Sequence, residues 1–353
     1  MIVRVRVACS GGADSLALAA ALAWLDGHEP DQLRASSAMV VDHGLQDGSA
    51  AVAAGVVEAL RGLGLDAAVA RAAVDVDSPD GLEAAARASR YEALTGGDVD
   101  VVLLGHTMDD QAETVLLGLA RGSGTRSLSG MPERWVVPPV TLVRPLLGLR
   151  RDVMRRACAD WGLTPWDDPM NDDPRFARVR ARRLLPVMEE ALGPGLVEAL
   201  ARTAALARAD ADHLDAEAEL ILRHPAGWAL PHPAVIPRDA GSRPSPVIPR
   251  HAGSRELGGD FRGVASEPTS SCLRQDDGDP IPVATIADAP EALRGRIVRM
   301  WLGTHGVTEL TYERTQAVLA LVTDWRGQGP VDLPGGVRVT RQGGAIRATG
   351  QNR

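Results

Sequence analysis

The segment Ser10-Gly11-Gly12-Ala13-Asp14-Ser15 follows an apolar stretch and contains residue types that could form a chemical site. Glycines let backbone N–H groups approach an anion, a helix start adds partial positive charge, and serine hydroxyls donate further hydrogen bonds. The segment therefore predicts a phosphate cradle. Because a carboxylate would repel bare phosphate, Asp14 predicts a Mg²⁺ ion between them. An ordinary turn between a strand and a capped helix is the alternative.

A second group of candidate residues is acidic. Asp109 and Glu113 are four residues apart and Asp110 and Glu113 are three apart, so Glu113 can share a helix face with either aspartate. The spacing suits a Mg²⁺ site, with Asp14 and Asp110 as ligands, or a site for a substrate ammonium group. It also suits an acidic helix N-terminus that the helix dipole stabilises. We predict catalytic roles for Asp14, Asp109, Asp110 and Glu113.

Arginines are concentrated between residues 175 and 183, where five of nine residues are Arg and none is acidic. Guanidinium groups bind phosphate through two hydrogen bonds and stack on bases, which indicates an RNA-binding strip. If the segment is helical, Arg175, Arg178 and Arg182 share one face. A salt-bridged surface helix is the alternative, and Arg121 before Gly-Ser-Gly can close over RNA or simply end a helix. The predicted RNA-binding residues are Arg121, Arg126, Arg175, Arg178, Arg180, Arg182 and Arg183.

These candidates lie among strand-like and helix-like segments that alternate over residues 1–145. Such an alternation predicts a parallel sheet covered by helices, with ligands at the carboxyl ends of the strands. His43, Gly105 and His106 each follow a predicted strand, so we expect them at the ligand site; a hydrogen-bonded core residue is the alternative for His43. The predicted strands are Val3–Cys9, Ala35–Val41, Ala67–Val74 and Val99–Leu104, and the predicted helices are Ala13–Leu25, Ser49–Leu63, Gly81–Leu94 and Asp109–Leu119.

The rest of the chain divides into three further segments. Residues 146–230 have helical patterns throughout. Residues 231–280 contain a near-identical repeat, at 235–243 and 247–255, rich in Pro, Gly, Ser and Arg, which predicts a disordered insertion; an RNA-binding arm is the alternative. Residues 281–353 predict a small α+β region with helices Glu291–Gly303 and Tyr312–Trp325 and a closing hairpin. Because the first strand starts almost at Met1, we also expect either that a native segment precedes it or that the start codon is misplaced.

The composition excludes several classes of protein. All 38 basic residues are arginine, and without lysine the chain cannot form a Walker-A ATPase, a protein kinase or a pyridoxal Schiff base. The three cysteines are far apart, which argues against a disulfide framework, a zinc site or an iron–sulfur cluster. No apolar run approaches the roughly 20 residues of a membrane span, so a cytoplasmic protein is expected. The net charge of −8 argues against general polyanion binding but does not describe one surface.

The segment Ser10–Ser15 resembles the PP-loop of the N-type ATP pyrophosphatases, which split ATP between the α and β phosphates. Further stretches in the same order narrow the resemblance to the tRNA(Ile)-lysidine synthetases over about residues 3–225, and it resumes from about residue 283. In that family the arginine segment usually reads Arg-Asn-x-Ile-Arg, whereas Val179 and Ala181 replace the Asn and the Ile here. The matching stretches are Val41–Leu45, Gly105–Thr114, Leu119–Gly124, Leu128–Met131, Arg144–Leu147 and Trp166–Asn171.

This resemblance implies a doubly wound, mostly parallel, Rossmann-like PP-loop domain at 1–145, a helical tRNA-binding domain at 146–230 and a small C-terminal α+β region at 281–353. It implies that ATP and Mg²⁺ adenylate the wobble cytidine of the CAU-anticodon isoleucine tRNA and that free L-lysine then displaces AMP. ATP would contact the residues of the cradle together with His43, Gly105 and His106. The oligomeric state is left open, with a homodimer as one alternative.

Two other functions stay open from the sequence. A tRNA thiolase of the same superfamily would make 2-thiocytidine, but it would need paired cysteines for a cluster or a persulfide. A non-catalytic nucleotide-binding or tRNA-binding protein is the second alternative. The repeat insertion supports it, whereas the intact Asp14 and the acids of 109–113 argue against it.

The insertion generates a first prediction. Its repeats are rich in turn-forming residues and poor in aromatic ones, so they cannot bury enough apolar surface to fold by themselves. Deletion of residues 235–275 should leave the melting temperature and the enzymatic activity nearly unchanged. A large loss of either, measured against the full-length chain, would mean that the segment packs on the protein or holds RNA.

Overall fold

The computed structural model describes residues 3–28, 36–44, 48–71, 82–122, 124–224, 280–307 and 310–350. The chain forms two compact units, Met1–His213 and Leu214–Arg353. The predicted insertion at 231–280 lies outside the described residues apart from Pro280, and the boundaries of the four predicted segments stay predictions. In the described ranges, no helix is long and apolar enough to cross a membrane.

The first unit is built on a six-stranded sheet. Its strands lie in the order β3-β2-β1-β4-β6-β5, and every neighbouring pair is parallel except β5 with β6. The strand order reverses beside β1, which opens a crevice at the carboxyl ends of β1 and β4. The predicted mostly parallel sheet is confirmed. Its strands are β1 (Val5–Ala8), β2 (Ser36–Asp42), β3 (Asp66–Arg71), β4 (Val101–Leu104), β5 (Arg134–Val137) and β6 (Val140–Val143).

Helices connect the parallel strands and bury the sheet. Val7 in β1 lies beside Ala38 of β2 and Leu103 of β4 and is fully buried, as expected of a central parallel strand. The four predicted helices of this region are present, with small shifts at their ends. They are α1 (Ala13–His28), α2 (Ser49–Gly62), α3 (Leu82–Thr95) and α4 (Met108–Arg121), followed by the short α5 (Thr125–Leu128).

Strands β5 and β6 are absent from the sequence-based prediction. Each has only four residues, and Pro138 and Pro139 interrupt the apolar run that contains them. Proline is not expected inside a strand, so the run does not present the alternation typical of one. The structure places both prolines in the turn between the strands, where neither has to donate a ladder hydrogen bond. The two strands add the antiparallel edge to the sheet.

The region after the sheet is helical, but it is interrupted. It contains α6 (Arg151–Asp160), a 3₁₀ turn at Pro169–Asp172, α7 (Ala177–Leu192) and α8 (Leu196–Arg223). Three prolines between residues 165 and 174 explain why the chain leaves the helical conformation between α6 and α7. Because α7 begins only at Ala177, Arg175 precedes the helix. The condition under which Arg175 would share a helix face with Arg178 and Arg182 is therefore not met.

The second unit is a small α+β structure, as predicted. Its strands form an antiparallel sheet in the order β7-β10-β9-β8. Gly343 and Gly344, with φ of 56° and 78°, form the two-residue turn of the β9–β10 hairpin, where positive φ is required. Ile297 and Ile346 lie in its core. The elements are β7 (Ile281–Pro282), α9 (Val283–Ala287), α10 (Glu291–Thr304), α11 (Tyr312–Thr323), β8 (Val331–Asp332), β9 (Arg338–Gln342) and β10 (Ala345–Thr349).

Candidate active site

The predicted phosphate cradle is a compact loop between β1 and α1. The Ser15 hydroxyl accepts a hydrogen bond from the Ser10 backbone N–H at 3.1 Å and donates one to the Gly12 carbonyl at 3.1 Å. Gly11 has a φ of 85°, and a Cβ atom there would lie 2.6 Å from Cγ2 of Val56. Its carbonyl accepts a hydrogen bond from the Trp166 N–H at 2.9 Å. The loop is therefore held from both sides, at the start of a helix that favours anions.

Gly105 lies at the carboxyl end of β4, directly against this loop. A Cβ atom at this position would be 3.0 Å from both the backbone nitrogen and the Cα of Ser15. Only glycine lets the end of β4 approach the start of α1 so closely. The next residue, His106, lies close enough to Asp110 to help lower the pKa of that carboxyl. The sequence-predicted residues after β1 and β4 are thus brought together.

The two aspartates at the start of α4 both serve as hydrogen-bond acceptors. Oδ2 of Asp110 accepts from the backbone N–H of Thr107 at 2.8 Å and from its hydroxyl at 2.9 Å, which caps the helix. Oδ2 of Asp109 accepts from the backbone N–H of Arg151 at 2.7 Å and from Nε of Arg150 at 3.3 Å. Asp110 therefore caps the helix with one oxygen, while its other oxygen accepts a hydrogen bond from Arg151; its catalytic role stays a prediction.

Glu113 is fully buried and lies among arginines from two other helices. Its Oε1 accepts hydrogen bonds from Nε of Arg182 at 2.8 Å and from Nη1 of Arg151 at 3.3 Å. Arg178 lies next to Oε2, with its Nε 3.8 Å away, and donates from Nη2 to the Thr114 hydroxyl at 3.2 Å. A buried carboxylate requires such compensation, because burial of an isolated charge is very unfavourable.

Arg151, at the start of α6, connects these acids to the loop. Its Nε donates to Oδ2 of Asp14 at 3.2 Å and its Nη2 to Oδ1 of Asp110 at 2.8 Å, besides the contact with Glu113.

These contacts and the burial of the site shift the pKa values of the groups involved. Burial alone would lower the pKa of Arg151, but Asp110, Glu113 and Asp14 together raise it. Burial raises the pKa of Asp14 to about 6, with Arg151 opposing the shift and Asp110 adding to it. Burial also tends to raise the pKa of Asp110. The charge of Arg151 and the hydrogen bonds from Thr107 outweigh this effect and hold the pKa of Asp110 below its usual range.

The acids fit a cation bound together with a nucleotide better than a metal held by protein alone. Within the described ranges no group of three or more His, Cys, Asp or Glu side chains could hold a metal ion. Among the same residues, Oδ1 of Asp14 and Oε2 of Glu113 are buried carboxylate oxygens without a hydrogen bond. Mg²⁺ commonly binds through one or two carboxylates plus substrate phosphates, so Asp14 fits this role. Asp110 would first have to release Arg151.

His43 follows β2 at the same edge of the sheet. Its Nε2 accepts a hydrogen bond from Nε of Arg90 at 3.4 Å, whereas its Nδ1 is buried without a partner in the described structure. Burial and the charge of Arg90 lower the pKa of His43, which favours the neutral ring. The pattern leaves one buried ring nitrogen without a hydrogen bond at this edge of the sheet. Contact with the nucleotide stays a prediction.

Comparison with known proteins agrees with this geometry. Residues 3–188 match the PP-loop domain family, and residues 282–346 match the TilS substrate binding domain. A tRNA(Ile)-lysidine synthase from Leifsonia xyli is 44% identical over 97% of this chain and 88% of its own length. Those of Mycolicibacterium paratuberculosis and Mycobacterium tuberculosis are 45% and 42% identical, over 93% and 96% of this chain and 85% and 87% of their own lengths.

The chain belongs to the tRNA(Ile)-lysidine synthase family. The members named above match it over both compact units. The comparison agrees with the resemblance that the loop Ser10–Ser15 and the segment 105–114 carry in the sequence.

The arginines predicted to bind RNA divide into two sets in this member of the family. Arg178 and Arg182 point toward Glu113 and belong to the candidate active site. The others lie at the surface, but several have protein partners. Two of them form ion pairs, Arg126 with Asp212 at 2.6 Å and Arg175 with Asp173. Two donate to backbone carbonyls, Arg180 to those of Pro174 and Arg175 and Arg183 to that of Asp172. Arg121 is exposed at the end of α4.

Two contacts at this site are not predicted from the sequence. One is made by Arg151, whose partner Asp109 is 42 residues away in the sequence. The other is made by Gln111, whose side chain exchanges two hydrogen bonds with the backbone of Met131, at 2.9 and 2.6 Å. Arg208 of α8 donates to the carbonyls of Ser129 and Gly130 in the same turn. These contacts fix the segment after α5 to α4.

A prediction follows from the close approach at Gly105. Gly105→Ala should weaken ATP binding by about tenfold or more, because the new Cβ atom has to displace the backbone of Ser15. Gly55→Ala is the matched control, since it adds the same methyl group at an exposed site of α2 with open space around it. Calorimetric titration of both variants with ATP tests this. Wild-type affinity in folded Gly105→Ala would mean that ATP does not depend on this loop.

The division of the arginines generates another prediction. The double change Arg180→Ala and Arg183→Ala should weaken tRNA binding and reduce its slope against salt by up to about two counterions, because each phosphate contact releases one. ATP affinity should be unchanged. Replacement of Arg155 and Arg156, which removes the same charge from an exposed part of α6, is the control. An unchanged affinity and slope for the first double variant would show that Arg180 and Arg183 form only a solvated surface.

Proposed function

We propose that this chain uses ATP to attach free L-lysine to C2 of the wobble cytidine in the CAU-anticodon isoleucine tRNA. The observation that carries the proposal is membership of the lysidine synthase family over nearly the whole chain. The site described above supplies the required parts, because a phosphate cradle and an acidic cluster lie side by side. The reaction leaves the modified tRNA, AMP and pyrophosphate.

The first step activates a poor leaving group. The C2 oxygen of cytidine attacks the α-phosphorus of ATP, the bond to the bridging oxygen of the β-phosphate breaks, and pyrophosphate leaves. The N–H groups of Gly11, Gly12 and Ala13 and the start of α1 are suited to hold the phosphates where negative charge increases. His43, Gly105 and His106 are proposed to contact the rest of the nucleotide at the ends of β2 and β4.

The second step replaces the activated oxygen. The ammonium group of free lysine first loses one proton to solvent; the neutral amine then attacks C2 of the adenylated base, the C2–oxygen bond breaks, and AMP leaves. The substrate is a cation before it reacts, and a buried carboxylate oxygen without a hydrogen bond is a suitable partner for it. Asp14 and Glu113 each keep one such oxygen, while Asp109 and Asp110 hold the surrounding chain segments.

Mg²⁺ is proposed to bind with ATP through Asp14, and Asp110 becomes its second ligand only when the bound nucleotide and Mg²⁺ displace Arg151 from Oδ1 of Asp110. When bound, Mg²⁺ would neutralise the negative charge of the phosphates and of the leaving pyrophosphate. The support is the free Oδ1 of Asp14 next to the cradle. Asp14 would otherwise repel the phosphates that the loop binds.

The tRNA is proposed to contact both units. The match of residues 282–346 to a substrate binding domain supports a contact in the second unit. In the first unit, exposed Arg121, Arg180 and Arg183 are candidates for phosphate contacts. The wobble cytidine has to leave its stack to reach the cradle, as is usual when an enzyme modifies a base.

The cysteines argue against the thiolase alternative. The two within the described residues, Cys9 and Cys158, are both buried next to the loop. Burial raises the pKa of each thiol, and a protonated thiol is a poor nucleophile and metal ligand. Neither cysteine has the exposed, electropositive surroundings of a reactive thiolate.

The proposal is tested by incubating the purified chain with ATP, labelled lysine and the isoleucine tRNA. Label should enter this tRNA only with ATP, and a tRNA that differs only by uridine at the wobble position should stay unlabelled. Asp14→Ala should abolish both labelling and pyrophosphate release while it leaves the melting temperature within a few degrees. Incorporation of sulfur would favour the thiolase, and binding of tRNA and ATP without any product would favour the non-catalytic alternative.

A further inference from the structure

Arg151 is the one side chain in the described contacts of the site that joins the phosphate loop to the acidic helix. Its guanidinium contacts Asp14 on α1 and Asp110 and Glu113 on α4 at 3.2, 2.8 and 3.3 Å. Its own backbone N–H is fixed by Asp109 at 2.7 Å. Arg182 also reaches Glu113 and lies 3.9 Å from Asp110, and its charge opposes the rise in the pKa of Asp14, but among the described residues no hydrogen bond or ion pair joins it to Asp14.

The contact with Asp14 uses only one side of that carboxylate. Oδ2 accepts the hydrogen bond from Nε of Arg151, whereas Oδ1 is buried and has no partner among the described residues. A carboxylate held by one oxygen has a fixed direction for the other. The orientation of the free oxygen of Asp14 is therefore set by Arg151, through a bond that crosses from α6 to α1.

The same guanidinium prevents the acids from repelling each other. Asp14 and Asp110 bind the same guanidinium, at 3.2 and 2.8 Å, and both are largely removed from bulk water. Without a cation between them, these two like charges would disfavour the packing of the loop beside α4. A planar guanidinium with several donors in fixed directions can satisfy all three carboxylates at once, which a single ammonium group cannot do as well.

We propose that Arg151 is a positioning residue, which holds Asp14 so that its free oxygen faces the Mg²⁺ that accompanies ATP. The inference rests on the proposed function for the identity of the reaction, but not for the binding of ATP. Arg151 acts through Asp14 and touches neither lysine nor the base. Its loss should therefore change how strongly ATP binding depends on Mg²⁺, and it should lower kcat more than the KM for lysine or tRNA.

The test compares Arg151→Lys and Arg151→Ala with the wild-type full-length chain. Arg156→Lys is the matched control, because Arg156 lies on the same helix in an exposed pair with Asp152. ATP binding is titrated at a series of Mg²⁺ concentrations, melting temperatures are recorded, and kcat and KM are measured for lysine transfer.

We expect Arg151→Lys to melt as a folded protein and to need about tenfold more Mg²⁺ for half-maximal ATP binding. Its kcat should fall about a hundredfold, with the KM values for lysine and tRNA within about threefold of wild type. Millimolar guanidinium should restore part of the ATP binding of Arg151→Ala, because it can refill the site of the lost side chain. Arg156→Lys should match the wild type in every measurement.

Wild-type Mg²⁺ dependence in Arg151→Lys would overturn the inference. So would an undiminished effect of Arg151→Lys in an Asp14→Ala background, because a residue that acts through Asp14 loses its effect when the Asp14 carboxylate is removed. If both Arg151 variants unfold, Asp14→Ala removes the acceptor of the Arg151 hydrogen bond from the other side, and an unchanged Mg²⁺ dependence there also overturns the inference. If the wild type labels no tRNA, the proposed function fails, while the ATP titration still decides the role of Arg151.

Discussion

The arrangement of this site depends on a fully buried carboxylate, that of Glu113. Removing an ionised carboxylate from water costs several kcal/mol even after the protein relaxes, so the charge has to be compensated by well-placed partners. Those partners are Arg151 from α6 and Arg178 and Arg182 from α7. The need to neutralise one buried charge on α4 therefore determines where two further helices pack. It also explains why arginines from a segment that suggests RNA binding turn inward.

A second requirement is the close approach of backbone segments around the loop after β1. It acts between neighbouring atoms, whereas the compensation of the Glu113 charge joins distant parts of the chain. The loop after β1 can meet the end of β4 only because Gly105 has no side chain, and it packs against α2 only because Gly11 has none. Together these glycines place the start of α1 at the carboxyl edge of the sheet. The charged cluster then forms above a loop whose position is already fixed by sterics.

The features that the sequence predicts well are those whose cause is local. The loop Ser10–Ser15, a helix predicted from Asp109 that begins at Met108, and the alternation of strands and helices all follow from neighbouring residues. Arg151 could not be found in this way, because its partners Asp14 and Asp110 are 137 and 41 residues away. The short strands β5 and β6 are not predicted, because the two prolines in the turn between them interrupt the apolar pattern. The direction of Arg178 and Arg182 depends on the rotation of α7, which an arginine-rich segment alone does not determine.

The absence of lysine from the chain has a chemical consequence at this site. A cation beside Asp14, Asp110 and Glu113 has to stay charged when it is buried, and it must not react with an activated base. An amine at this place could react with the activated base whenever it lost its proton, and it would then compete with the free lysine of the proposed reaction. Arginine stays protonated under the same conditions, and its charge is delocalised over a planar group that binds several carboxylates. Arg151 and Arg182 can therefore compensate the acids without becoming reactants. This requirement concerns only the few cations that touch the cluster, so it explains the choice of arginine there and not at the surface.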